Sequence, residues 1–76
     1  MEFDRAIKIR RSVSVKYKTT VWQILSLSRK KKTVLARREI VCRVRNELGL
    51  TMEEIGLLIN RTHSTVIYHL KKGVKL

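Results

Sequence analysis

The chain has 76 residues, with eighteen Lys and Arg against six Asp and Glu, and a formal net charge of +12. At this length roughly 60% of the unfolded surface is hidden on folding, which leaves no room for a separate catalytic domain, and self-repulsion at this charge implies a polyanionic partner. The single cysteine, Cys42, excludes an internal disulfide, no Cys/His spacing suits zinc, and neither a membrane-spanning run nor a signal peptide is present.

Nucleic acid is the first candidate partner and an anionic membrane surface the second. With no proline, linker or internal repeat, residues 1–76 read as one continuous domain in a reducing, cytoplasmic compartment. Met1 reads as a natural start, with a fragment of a longer protein as the alternative.

From Phe3 to Tyr17 a helical wheel gathers Phe3, Ala6, Ile7, Ile9, Val13 and Tyr17 on one side, with Asp4 as N-cap. Val13, Val15 and Tyr17 also alternate as in a strand, but the longer stripe favours helix. In "TTVWQILSL", Thr19 or Thr20 caps a short helix that turns Val21, Ile24 and Leu25 inward, with Trp22 covering the side. "SRKKKT", Ser28 to Thr33, has four consecutive cations and no apolar anchor, and reads as a solvated basic loop.

"VLARREIVCRVRNEL" is the clearest helix. It places Ile40, Val41, Val44 and Leu48 on one face, with Arg37, Arg38, Arg43 and Arg45 on others, and Gly49 ends it. Thr51 and Glu54 then fit a capping box that opens a helix with Met52, Ile55 and Ile59 on its inner face. Gly56, inside that helix, costs about 1 kcal/mol against alanine, so close approach of a neighbouring helix is expected there. Asn60 closes the helix in the left-handed region. Thr62 caps the last helix, with Val66, Ile67, Leu70 and Val74 facing the core. The expected fold is all-α, with about five short helices.

Residues 51–72 have the pattern of a helix-turn-helix: Gly56 for the crossing, Asn60 four positions later for the turn, and inward Val66 and Leu70. Arg61, after the turn residue, is off-pattern, since an apolar residue is usual there. The outer face of the last helix carries Ser64, Thr65, Tyr68 and Lys72, with His63 at its first turn. Residues so placed reach base edges in the major groove. Ser and Thr hydroxyls bond either kind of base-edge group, a threonine methyl packs on thymine, and a helix N-terminus favours phosphate.

"NRTHSTVIYHLKK" resembles the signature of the C-terminal DNA-binding domain of DnaA, the bacterial replication initiator, whose pattern runs close to "GGRDHTTVIHA". "SRKKKTVLARREIVCRVRNELGLTMEEIG" resembles that domain's basic loop and following helices, and "VSVKYKTTVWQIL" the segment ahead of them; the likeness spans roughly Ile9 to Lys72. The resemblance implies base contacts from Thr62, His63 and Ser64, with Arg61 and Thr65 supporting phosphate contact; Thr65, on the same turn, is also counted with the base-contacting residues. It implies a minor-groove cation at Arg29 or Lys30 and a phosphate contact at Arg38. The run Arg29, Lys30, Lys31, Lys32 joins this backbone or minor-groove set, as do Tyr68 and Lys72. Two departures stand out: Thr62 replaces the family aspartate, and Arg37 the proline at the start of the helix after the loop. No Gly-rich phosphate loop with a following Lys and Ser/Thr occurs, so these residues do not make a complete ATP-driven initiator.

Several of these residues have plainer readings. His63 could be a capping-turn residue, and His69 is surface or packing. Cys42 is a small buried or half-buried group, and Glu53 and Glu54 are first-turn charges rather than a catalytic pair. No enzyme activity, cofactor, metal or small-molecule substrate is expected. The expectation is a nucleoid-associated, sequence-specific double-stranded DNA-binding regulator of replication initiation or transcription, encoded by a phage or mobile element and competing for initiator sites. The alternative is a protein-interaction module using Leu57 and Trp22. Membrane binding through the first helix, by Ile7 and Val13, ranks third.

Overall fold

The amphipathic stripe near the N-terminus folds as expected. In the computed structural model, which describes residues 2–73, helix α1 spans Glu2–Lys16. Ala6 and Val13 are fully buried, and Phe3, Ile7, Ile9 and Tyr17 pack against the core from its edge. Asp4 is not the N-cap, because the helix is already under way at Glu2; it lies in the first turn, where its charge suits the helix dipole. Lys18 closes α1 at φ 54°. The α1 terminus is tied inward by Lys16 Nζ and Tyr17 Oη, which donate to Glu39 Oε1 at 2.8 and 2.9 Å.

Helix α2, Val21–Leu25, is capped by Thr20, whose hydroxyl accepts from the Gln23 N–H at 3.1 Å. Ile24 is fully buried and Val21 and Leu25 half-buried. Trp22 covers nothing and stands 84% exposed.

Helix α3, Lys31–Leu48, begins earlier than the sequence implies. The basic loop is therefore shorter: Lys31, Lys32 and Thr33 form the first helical turn, with the Lys30 carbonyl accepting from Thr33 and Val34 at 3.0 Å. The anchor missing from the cation run is Thr33, which is completely buried. Ala36, Ile40, Val41 and Val44 continue its stripe, and α3 touches all four other helices. Gly49, at φ 65°, ends it as expected.

Helix α4, Met52–Ile59, has the full capping box: Thr51 Oγ1 accepts from Glu54 N–H, and Glu54 Oε1 accepts from Thr51 N–H at 2.9 Å. Ile55, Leu58 and Ile59 are buried and Met52 half-buried. Asn60 sits at φ 55°. The close approach at Gly56 comes mainly from the turn: an added Cβ would lie 2.6 Å from the Arg61 carbonyl oxygen and 3.9 Å from Val66 Cγ2 of the next helix.

Helix α5, His63–Gly73, buries Val66 and His69, with Leu70 half-buried. Ile67, expected in the core, is 38% exposed. Consecutive helical positions diverge by about 100°, so the inward face that holds Val66 continues to His69 and Leu70 and leaves Ile67 at its edge. Val74 lies outside the described residues.

Candidate nucleic-acid interface

The interface is built from the α4–α5 turn outward. Gly56, with no side chain, admits the Arg61 backbone, and Arg61 N–H donates to the Gly56 carbonyl at 2.9 Å. Thr62 holds the N-cap position of α5, with its carbonyl accepting from Val66 N–H at 3.1 Å. Its hydroxyl lies 3.3 Å from that of Thr65. Thr62, His63 and Ser64 are exposed and Thr65 half-exposed, while Val66, His69 and Leu70 hold the helix by its other side. The four candidate base-reading residues thus share one turn. Tyr68, 52% exposed, and Lys72 continue along α5, with the Lys72 ammonium 5.8 Å from the Tyr68 ring centre.

Arg29 and Lys30 are exposed on the α2–α3 loop. Serine hydroxyls shape it locally: Ser26 Oγ accepts from Ser28 N–H at 3.1 Å, and Ser28 Oγ from Lys30 N–H at 3.3 Å. Lys31 is exposed, and Lys32 Nζ donates to the Lys18 carbonyl at 3.0 Å. No acidic residue and no side-chain cap occupy the first turn of α3, so its positive dipole end and these cations add together.

Two arginines are placed differently from expectation. Arg37, assigned to an outer face, is 4% exposed. Its Nε donates to the Ile24 carbonyl and Nη1 to Ser28, both at 2.8 Å, and Nη2 to Gln23 at 3.0 Å and Ser26 at 2.7 Å. It lies in the second turn of α3, not at its start. The clue was spacing, for Thr33, Arg37, Ile40 and Val44 form one helical stripe. Burial, then the neighbouring Arg61, lowers its pKa, yet a guanidinium stays protonated. Arg61 is the second. Its guanidinium donates to the Asn60 carbonyl at 2.8 Å and to that of Ser26, and the side chain is half-buried.

Arg38 is half-buried, and its stem packs beside Gly73 at the far end of α5. His69 resolves to packing: burial, then the charges of Arg38, Arg37 and Arg61, holds its pKa below the usual imidazole value. Cys42 is half-buried, and burial raises its thiol pKa. Among the described residues no cluster of His, Cys, Asp or Glu could hold a metal ion. No described helix is long and apolar enough to cross a membrane. Of the two residues the membrane reading of α1 relies on, Val13 is fully buried in the core and Ile7 half-buried. Sequence reasoning also passed over Leu27. It stands 86% exposed and, with Leu57, lines a cleft of about 650 Å³ beside Thr62, His63 and Thr65.

Five helices and no strand among the described residues, with a small residue in α4, a left-handed turn residue and an exposed first turn on α5, define a helix-turn-helix protein of the DNA-binding class. A family profile described as the bacterial dnaA protein helix-turn-helix matches residues 6–72, and the chain belongs to that family. Searches of curated proteins and of solved structures returned no match.

Proposed function

We propose that this chain is one sequence-specific, double-stranded DNA-binding domain acting near the nucleoid, regulating replication initiation or transcription, and of phage or mobile-element origin. The start of α5 enters the major groove, where Thr62, His63, Ser64 and Thr65 meet base edges. Arg29 or Lys30 reaches the adjacent minor groove, with the other of the pair and Lys31, Lys32, Arg38, Tyr68 and Lys72 near phosphates. The observation that carries this reading is the outward first turn of α5, with hydroxyls and an imidazole free of core contacts, beside an exposed cationic loop.

The test is selection of bound duplexes from a random pool, followed by a salt titration. An enriched motif is expected, with log affinity falling linearly against log salt. Replacing Arg29, Lys30 and Arg38 should flatten that slope. No enrichment and no binding near physiological salt would overturn the proposal. A second reading, a protein partner docking at Leu57 and Trp22, is favoured by their 75% and 84% exposure. It predicts that Leu57→Ser abolishes partner capture and leaves duplex binding unchanged.

A further inference from the structure

We infer that Arg37, with Asn60 and Arg61, forms an internal clasp that fixes the basic loop relative to the recognition helix, so that the two grooves are read by one rigid unit. This rests on the DNA-binding reading and adds a positioning role for side chains whose donors turn to the protein's own carbonyls; of these Arg37 is buried, Arg61 half-buried and Asn60 exposed.

The last turn of a helix leaves its C=O groups without intrahelical partners, and α2, Val21–Leu25, is little more than one turn. The carbonyls of Gln23, Ile24, Ser26 and Ser28 are collected by the three guanidinium nitrogens of Arg37. That of Leu25 accepts from Asn60 Nδ2 at 3.0 Å, and that of Ser26 also accepts from Arg61. One planar fork with fixed donor directions suits several carbonyls at once, which a lysine ammonium does not.

Apolar packing does little to hold this segment. After Ile24 and the half-buried Leu25, no residue from Ser26 to Lys30 is buried, and Leu27 stands in solvent. The path of the chain into Arg29 and Lys30 is therefore set by the polar clasp. The other two clasp residues belong to the turn that directs α5. The same three side chains thus fix both DNA-facing elements. Arg61, which the resemblance would place on phosphate, becomes a positioning residue here.

The test is a double-mutant cycle on affinity for a selected duplex, combining Arg37→Met with Arg29→Ala/Lys30→Ala in the full chain. Circular dichroism would establish folding at the assay temperature. Arg37→Met alone should weaken binding about tenfold, and should add less than about twofold to the loop variant, because both remove the same contacts. It should also lower the salt slope by about 2, one for each loop cation, although Arg37 itself is too buried to meet phosphate. If Arg37→Met does not fold, Asn60→Gly serves the same cycle, since it removes the Leu25 bond, keeps the left-handed turn and changes no charge. Additive losses, or an unchanged salt slope in a folded variant, would overturn the clasp while leaving DNA binding intact. A wild-type chain that binds no duplex would overturn both readings.

Discussion

His63 stands at the first turn of α5 with no core contact to keep it there, so its replacement should act on DNA rather than on folding. His63→Ala should cost about 1–3 kcal/mol on the selected site and leave mixed-sequence affinity nearly unchanged, measured by competition binding. Equal loss on every sequence would reduce it to a backbone contact. Gly56 behaves in the opposite way. A mid-helix Gly→Ala change normally stabilises by about 1 kcal/mol, but here the new methyl meets the Arg61 carbonyl at 2.6 Å. That carbonyl belongs to a hydrogen-bonded turn and cannot yield freely, so Gly56→Ala should destabilise by about 1–3 kcal/mol in a urea melt. A raised midpoint would show that the turn gives way. His69 is buried among Arg37, Arg38 and Arg61, with its pKa below the usual value of 6.5. Between its folded pKa and 6.5, the unfolded chain binds more protons. Stability is therefore complete above that value and lost as pH falls toward and through the folded pKa. The urea midpoint of the wild-type chain should drop between about pH 7 and 5, and His69→Leu should flatten that drop. An equal slope in the variant would assign it to other groups.

The helices differ in how far local chemistry specifies them. Gly49, the Thr51–Glu54 box and Asn60 each act within about four residues, so the ends of α3 and α4 were legible in the sequence. The start of α3 was not, because threonine and arginine are ordinarily exposed, so the stripe of Thr33 and Arg37 ahead of Ile40 did not read as apolar. Ile67 was misread for a related reason. Hydrophobicity ranks isoleucine inward, but angular position on α5 decides, and position 69 shares the face of Val66. The earlier start of α3 puts Lys31 in its first turn, where a cation opposes the dipole. Lys31→Glu should raise stability by about 0.3–1 kcal/mol while weakening duplex binding, both measured on one variant. A destabilised variant would mean the lysine has a structural role.

Across the whole molecule, a charge of +12 on 76 residues opposes compaction and attracts polyanions. Added salt should therefore act in two directions. From about 50 to 200 mM, screening should raise the Tm of the free protein while duplex affinity falls steeply. A Tm that falls over the same range would show that attractive pairs such as Lys16–Glu39 outweigh the repulsion. The sequence by itself determined the all-α class, the turn residues, the outward surface of α5 and the family likeness. These depend on caps, glycine and asparagine conformations and apolar stripes, all of which act over a few residues. Only the tertiary structure decided which carbonyls Arg37 and Arg61 hold, because a guanidinium has no preferred carbonyl until folding gathers acceptors from 9 to 35 residues away. Side chains of one charge thus divide into those left in solvent and those bonded to the protein's own backbone, according to where the fold places unpaired oxygens.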